Sequence, residues 1–190
     1  MDKNSFLLAN LIDRLGNFGR AELRTGQNPY GLQPVHLQAL NYIKQANRYS
    51  NIPQALTEYL GQTKGTVSQS LILLHRKGLI ERYMDETDRR QVRLVLSEKG
   101  LQLLKEMSAA SNWQAATKNL SPAKLKTAVL VLQETLNNLQ SFEEKKTFGV
   151  CNSCLHCHQE SQRVFRCGLT GEKLGVSETR KICRLHISPA

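Results

Sequence analysis

The chain has 190 residues and a formal net charge of +10, with 26 lysines and arginines against 16 aspartates and glutamates. This length holds one domain of ordinary size plus a small module, and the sequence contains no apolar stretch long enough to span a bilayer. The excess of positive charge favours a polyanionic partner, most simply nucleic acid, although charge that only maintains solubility would look the same.

Helical periodicity dominates the first 78 residues. Two apolar stripes at helical spacing consist of Leu8, Leu11, Leu15 and Phe18, and of Leu37, Leu40 and Ile43. The second stripe is entered through Pro34. A short helix is predicted from about Pro53 to Leu60, with proline in its first turn and Gly61 just past its end. Thr63 can then cap a further helix that runs to about Lys77.

The helix after Thr63 combines an apolar face, formed by Val67, Leu71 and Leu74, with a polar start. Small and polar residues in its first two turns are what a helix needs to approach the major groove of DNA and reach base edges. The candidate groove-facing residues are Thr63, Lys64, Thr66, Ser68 and Gln69. Taken alone, the same pattern fits an ordinary amphipathic surface helix equally well.

A β-hairpin is predicted directly after this helix. Residues 79–84 and 91–96 carry strand-like apolar residues, and residues 85–90 form a charged turn that ends in Arg89 and Arg90. Such a wing can place arginine in a minor groove, where narrow A·T-rich geometry concentrates negative potential. The alternative is a salt-bridged turn, and we expect it for part of the tip, where Asp88 can orient one arginine.

The order of these motifs resembles the MarR family of winged-helix regulators, over roughly residues 5–145. The resemblance rests on residues 55–61, 65–69, 74–80, 85–90 and 94–100. It implies a homodimer that binds a pseudo-palindromic operator in double-stranded DNA and usually represses transcription. By position, it also implies that the polar residues of the helix after Thr63 face the groove and that Arg89 and Arg90 are the wing contacts.

A heptad seam independently favours a dimer. Its residues, spaced 4, 3, 4 and 3 apart, are Leu125, Val129, Leu132, Leu136 and Leu139. Ser121 and Pro122 supply a cap and a first-turn proline for this helix. The seam is expected to face the chain's own first helix, a partner's helix, or a mixture of both. The expected fold is mainly α with a small β-hairpin wing (α+β), a winged helix-turn-helix dimer with a helical dimerisation region.

All five cysteines lie in the last forty residues, and the first 150 residues contain none. We therefore divide the chain into a DNA-binding and dimerisation domain, residues 1–146, and a small cysteine-rich module, residues 147–190. The short linker predicts that the module packs near the end of the dimerisation helices. The predicted metal ligands have the spacing C-x2-C-x12-C-x15-C and are Cys151, Cys154, Cys167 and Cys183, with Cys157 as an alternative.

Four thiolates come together only where a cation or cluster neutralises them. Five basic residues of the module are expected to lower this cost further and to favour thiolate over thiol. They are Arg163, Arg166, Arg180, Lys181 and Arg184. Three histidines are candidates for zinc ligands or for hydrogen-bond donors to the ligands. They are His156, His158 and His186.

The predicted occupant is an iron–sulfur cluster, 4Fe–4S or 2Fe–2S, with zinc as the alternative. Structural zinc commonly uses two closely spaced ligand pairs, whereas Cys167 and Cys183 are isolated. The run from Cys151 to Cys157 resembles the C-x-x-C-x-x-C of cluster-binding ferredoxins, although the Cys-Pro element is absent.

The leading functional hypothesis is a cytoplasmic, dimeric repressor whose operator affinity depends on a cluster that senses oxidants, nitric oxide or iron supply. Residues 6–12 are typical of an amphipathic helix and not of a signal peptide, so we expect a reducing compartment in which clustered cysteines bind metal. A second hypothesis combines a structural zinc with a small-molecule effector. A third, a thiol oxidoreductase using Cys151 and Cys154, is disfavoured because no thioredoxin-like βαβ pattern is present, and we expect no enzyme.

Overall fold

The structure, a computed structural model, describes residues 2–25, 30–86, 88–109, 112–142 and 147–188. Its helices are α1 (Lys3–Thr25), α2 (Pro34–Gln45), α3 (Pro53–Leu60), α4 (Lys64–Arg76), α5 (Glu98–Ala109), α6 (Asn112–Thr117), α7 (Pro122–Phe142) and α8 (Val176–Thr179). Its strands are β1 (Ile80–Met84), β2 (Val92–Leu96), β3 (Gly149–Val150), β4 (Cys157–Gln159), β5 (Val164–Cys167), β6 (Lys173–Gly175) and β7 (Ile182–Cys183). The expected fold class, mainly α with a small β-hairpin, is confirmed.

Helices α2, α3 and α4 pack with the hairpin β1–β2 around the main hydrophobic core. Its largest fully buried side chains include Leu37, Leu40, Tyr42, Leu56, Leu71, Leu74, Leu79, Ile80 and Leu94. Pro53 opens α3, Gly61 follows it with a left-handed φ of 60°, and Thr63 caps α4. The hairpin is antiparallel with Ile80 opposite Leu96, so α4 leads directly into the wing.

Helix α5 completes this core, with Leu103 and Leu104 buried against it. The sequence analysis assigned no helix here. Gly100 lets α5 approach the base of the wing closely, because a Cβ at that position would lie 2.2 Å from the Leu79 carbonyl oxygen. A larger residue would therefore displace backbone.

The long helices α1 and α7 leave many apolar side chains open to solvent. Phe18 of α1 is 70% exposed, and Val129 and Leu139 of the α7 seam are 62% and 58% exposed. Ser121 caps α7 as predicted, since its Oγ accepts a hydrogen bond from the Lys124 N–H at 3.3 Å. Within one chain, the described part of α1 therefore does not bury the seam. In the described residues, no helix combines the length and the hydropathy of a membrane span.

The cysteine-rich module consists of two small antiparallel sheets and the short helix α8. Strand β3 pairs with β7, and β4, β5 and β6 form a three-stranded sheet. Gly149 is needed where the first sheet begins, because a Cβ there would lie 2.4 Å from atoms of the buried His186 ring.

The module packs on α2 and α3, a contact that the sequence did not predict, in addition to the expected position near the end of α7. Phe148 is buried, with its ring centre 6.3 Å from that of Tyr42 and 5.4 Å from that of Tyr59. Its φ of 46° is left-handed, a value that a non-glycine residue keeps only where its surroundings hold it. The module also reaches α7, where the Asn137 side chain donates a hydrogen bond to Ser188 Oγ at 3.1 Å.

Candidate functional site

The polar start of α4 forms one part of the candidate DNA-contacting surface. Thr63 Oγ1 accepts a hydrogen bond from the Thr66 N–H at 3.1 Å, which satisfies one of the unpaired donors at the helix start. The residues predicted to face the groove are all exposed, namely Thr63, Lys64, Thr66, Ser68 and Gln69. Val67 and Leu71 bury the opposite face in the core. The helix therefore divides into a packed side and a polar side, and DNA contact by the polar side stays a prediction.

The tip of the wing is a structured turn that carries Arg89 and Arg90, both exposed. Asp88 Oδ1 accepts a hydrogen bond from the Arg90 backbone N–H at 3.1 Å, and Asp88 Oδ2 accepts one from the Gln91 side chain at 3.0 Å. Asp88 therefore fixes the backbone at Arg90, and contact of the two arginines with DNA stays a prediction.

The wing is tied to the stretch between α2 and α3, residues 46–52, called the α2–α3 segment below. Arg93 Nη1 donates hydrogen bonds to Asn51 Oδ1 at 3.2 Å and to the Arg48 carbonyl. The Leu94 N–H donates to the Asn51 carbonyl at 2.8 Å. Arg93 is a functional residue without a known motif, and the only trace of it in the sequence is a charged residue within the otherwise apolar strand β2.

The segment that carries this surface matches a known family. Residues 30–91 match the sequence model of the MarR family. This segment is similar to the MarR family, and it is called the MarR-type winged helix below because of that similarity. The match runs from before α2 to the wing tip, about a third of the chain, and ends before the first cysteine. A comparison with proteins of curated function gives no significant match.

Solved structures of MarR regulators share the fold of the MarR-type winged helix. A MarR transcriptional regulator from Methanosarcina mazei Go1 is 24% identical, with a TM-score of 0.61 over 72% of this chain and 98% of that chain. FabT from Streptococcus pneumoniae, in complex with DNA, is 25% identical, with a TM-score of 0.52 over 75% of this chain and 96% of that chain. CouR from Rhodococcus jostii RHA1, bound to p-coumaroyl-CoA, is 20% identical, with a TM-score of 0.57 over 70% and 92%.

Beyond the MarR-type winged helix, the five cysteines lie in one part of the module. Cys151, Cys167 and Cys183 are buried together, and Cys157 packs against them from a partly buried position. Cys157 lies directly opposite Cys167 in the pairing of β4 with β5. All five cysteines, including the half-buried Cys154, are free thiols. Cys157, the alternative ligand in the predicted set, packs among the other cysteines.

Local turns bring the first three cysteines together. Cys151–Ser153 is a short 3-10 turn, after which the Cys154 N–H donates to the Cys151 carbonyl at 3.0 Å. The Cys157 N–H donates to the Cys154 carbonyl at 3.0 Å, so each C-x-x-C step folds back on itself. The Ile187 N–H donates to Cys154 Sγ at 3.4 Å. A backbone N–H directed at sulfur also stabilises a thiolate.

Burial and proximity hold Cys151, Cys157 and Cys183 in the neutral thiol form. Burial raises the pKa of Cys151 to about 12, and the neighbouring Cys157 and Cys183 add to the shift. Burial likewise raises the pKa of Cys157 and of Cys183, and a hydrogen bond from Asn47 opposes the shift at Cys183. Deprotonating several of these thiols together therefore requires a cation or cluster to neutralise them.

Among the described residues, no three His, Cys, Asp or Glu side chains are arranged as the ligands of a metal ion. The donor set nevertheless fits a thiolate-ligated centre in its chemistry, since five sulfurs share one region and Sγ moves by rotation about a single torsion. His186 is a poor candidate ligand. Its two ring nitrogens already face hydroxyl groups, at 3.4 Å from Thr147 Oγ1 and 3.0 Å from Ser153 Oγ.

The basic residues of the module are arranged differently from the expectation that they neutralise thiolates. Three of them pair with carboxylates because the fold brings acidic side chains within reach. These pairs are Arg166 with Glu160, Lys181 with Glu178, and Arg184 with Glu58. The last pair joins the module to α3, which no local sequence pattern could indicate.

The module is also held by the α2–α3 segment. Arg48 Nη1 lies 3.0 Å from Glu172 Oε2, and Arg48 Nη2 donates to the Lys173 carbonyl at 3.1 Å. The Tyr49 hydroxyl donates to Glu172 Oε2 at 2.8 Å. These contacts place the cysteine-rich module directly against the MarR-type winged helix.

Proposed function

We propose that this chain is a dimeric, DNA-binding transcriptional repressor whose operator affinity depends on a cysteine-ligated iron–sulfur cluster in its C-terminal module. The observation that carries the DNA-binding part is the polar side of α4 beside an arginine-tipped wing in a MarR-type winged helix. A helix of this kind is suited to the major groove, and wing arginines are suited to the minor groove and the phosphates.

Known relatives of the fold support this assignment. FabT, which shares the fold over 75% of this chain, has been solved in complex with DNA. The net charge of +10 gives the chain the positive potential that a duplex attracts. Both observations favour double-stranded DNA over a protein or a small molecule as the main partner.

Dimerisation is supported by the apolar surface that one chain leaves open. Val129, Leu132, Leu136 and Leu139 repeat along one side of α7 and are 42–62% exposed. Exposed apolar surface of this extent marks an interface with another chain. Two chains joined here would present two recognition helices, and a spacing of about 34–36 Å between them matches successive major grooves.

One experiment tests dimer and DNA binding together. The full chain is measured by light scattering and titrated with the duplex upstream of its own gene at low salt. We expect a dimer that binds. Val129→Glu should give a monomer with greatly weakened binding, whereas Thr127→Glu, on the side of α7 away from the seam, should behave as wild type. A monomeric wild type that ignores the duplex would overturn the proposal.

The cluster is supported by the donor set of the module. Five thiols lie in one region, burial raises the pKa of Cys151 and of Cys183, and the Ile187 N–H is directed at Cys154 Sγ. The residues proposed to hold the cluster are Cys151, Cys154, Cys167 and Cys183. When bound, a cluster supplies one-electron chemistry and reactivity toward oxidants and nitric oxide, which would make the site a sensor.

The test of the cluster is purification without oxygen, followed by visible absorption and measurement of iron, zinc and acid-labile sulfide. We expect a coloured protein containing iron and sulfide. Replacement of any of the four proposed ligands by serine should abolish the bound iron and sulfide, whereas the Cys157→Ser variant should retain both. A colourless protein with one zinc per chain and no sulfide would overturn the cluster and support the zinc alternative.

Zinc with a small-molecule effector is the second candidate. It is favoured by one observation, the compact C-x-x-C turn at Cys151–Ser153, which structural zinc sites also use. CouR, which shares the fold, is bound to p-coumaroyl-CoA. In this case nitric oxide or peroxide would leave operator binding unchanged, and a bound small molecule would change it.

A further inference from the structure

The residues on both sides of Cys183 bind the α2–α3 segment. The Asn47 N–H donates to the Ile182 carbonyl at 2.9 Å, and the Arg184 N–H donates to Ser50 Oγ at 2.8 Å. Asn47 and Ser50 are 2% and 0% exposed. Because adjacent Cα atoms are about 3.8 Å apart, the backbone of Cys183 cannot move without loading both of these bonds.

Asn47 and Ser50 belong to a small buried hydrogen-bond network. Ser50 Oγ donates to Asn47 Oδ1 at 2.8 Å, and the Tyr42 hydroxyl donates to the Ser50 carbonyl at 2.8 Å. A buried network of this kind transmits displacement, since each group would lose its partner if its neighbour moved alone.

The same segment holds the wing from its other side. As described above, Arg93 donates to Asn51 Oδ1 and to the Arg48 carbonyl, and the Leu94 N–H donates to the Asn51 carbonyl. The α2–α3 segment therefore lies between a candidate metal ligand and the strand that carries the wing.

Arg184 makes a second connection, to α3. Its Nη2 lies 2.9 and 3.0 Å from the two carboxylate oxygens of Glu58, and the two side chains are 12% and 29% exposed. Helix α3 packs against the recognition helix α4. A largely buried ion pair is directional, so it positions α3 relative to the module.

This interface has unused hydrogen-bonding capacity. Arg184 Nε and Glu178 Oε2 are buried and lack a hydrogen bond among the described residues, although Glu178 Oε2 lies 3.7 Å from Arg48 Nε in an ion pair. A buried polar atom without a hydrogen bond costs free energy, so this interface is less firmly held than a fully hydrogen-bonded one.

We infer that occupancy of the cysteine site is communicated to the DNA-reading surface through Cys183, by way of the Arg184–Glu58 ion pair and the α2–α3 segment. This inference rests on the proposed function and specifies how its two parts are coupled. Ligation that draws the backbone of Cys183 toward the other sulfurs moves Arg184 and Ile182, and with them α3 and the wing. Coupling between two sites in proteins typically changes affinity about 5–150-fold.

The test compares DNA affinity of the full chain with and without Zn²⁺, a metal that thiolates bind whatever the native occupant is. Dissociation constants for the upstream duplex are measured anaerobically for Zn²⁺-loaded and chelator-treated protein. In wild type the two should differ about 5–150-fold. In Glu58→Gln the ratio should fall toward one, while Zn²⁺ binding persists. Arg184→Lys, which keeps the charge but not the planar fork, should give an intermediate ratio.

The matched control is Glu160→Gln, which removes the other Arg–Glu pair of the module, Arg166 with Glu160, without touching the winged helix. It should keep the wild-type ratio. Linkage gives a second readout, because DNA must change the Zn²⁺ affinity by the same factor. A Glu58→Gln variant that keeps the full ratio by both readouts would overturn the inference, as would a wild type that binds both partners independently. Failure to bind the duplex at all would instead overturn the proposed function.

Discussion

Arg93 and Asp85 form a half-buried ion pair across the wing, with Arg93 Nε 2.6 Å from Asp85 Oδ2 and the two side chains 16% and 14% exposed. The other carboxylate oxygen of Asp85 accepts a hydrogen bond from the Asp88 N–H at 2.9 Å. One carboxylate therefore connects the anchor of the wing, Arg93, to the turn that carries Arg90.

Replacing Asp85 with alanine should both destabilise the fold and loosen the wing tip. The loss of hydrogen bonds between charged groups, with Arg93 left partly buried, should lower the free energy of unfolding by about 1.5–3 kcal/mol. Urea denaturation measures this change. Glu86→Ala, an exposed neighbour in the same turn, serves as the control and should change stability little. Equal stability of both variants and wild type would contradict a structural role for the pair.

Arg90→Ala should weaken operator binding and make it less sensitive to salt. If Arg90 neutralises one phosphate, the slope of log K against log salt concentration should decrease in magnitude by about one. Fluorescence anisotropy titrations at several salt concentrations give this slope. Arg163→Ala removes the same charge from an exposed turn of the module and should leave the slope as in wild type. An unchanged slope in the Arg90→Ala variant would show that Arg90 of the wing does not contact a DNA phosphate.

Gln69→Ala should relax the choice of base more than it weakens binding overall. A bidentate contact from glutamine to a base edge discriminates by about 1–3 kcal/mol, so the preferred and altered operators should converge in affinity by that amount. Competition among operator variants measures the preference. The control variant Gln102→Ala changes an exposed glutamine of α5 and should leave the base preference intact. A Gln69→Ala protein that keeps the wild-type preference would show that Gln69 of α4 does not read a base.

Acidification should weaken the start of α2 through His36. In the fold, His36 Nδ1 accepts a hydrogen bond from the Gln33 N–H at 3.0 Å, which only the neutral ring can do. Burial lowers the pKa of His36 below its usual 6.5, and the Lys77 charge adds to this shift. Because the unfolded chain binds the proton more readily, this contribution to stability is present above about pH 6.5 and is lost as the pH falls below it.

The comparison with His36→Gln isolates this contribution. Glutamine at the third position of a helix can accept the same N–H bond at any pH. Thermal unfolding between pH 5 and 8 should therefore show wild type losing stability relative to the variant on the acid side. Parallel curves for the two proteins would mean that His36 does not titrate with folding.

The winged helix could be predicted from sequence because its determinants are local. Pro53, Gly61 and Thr63 mark helix ends within a few residues of the elements they delimit, and the charged turn of the wing separates two apolar strands. The place of the cysteine-rich module could not be predicted in this way. It depends on the pairing of Arg184 with Glu58, 126 residues apart, and on two buried polar residues that resemble ordinary loop residues in sequence.

The buried position of Phe148 against the winged helix determines how the role of the cysteines can be studied by mutagenesis. Truncation of the chain at residue 146, where its composition changes, would expose the rings of Tyr42 and Tyr59. It would also remove the hydrogen bonds that Asn47 and Ser50 make to the module. Such a truncated protein would be prone to aggregation and less stable, for reasons unrelated to the loss of the cysteines. Single side-chain exchanges in the intact polypeptide are therefore the appropriate tool, and a failed deletion would carry no information about sensing.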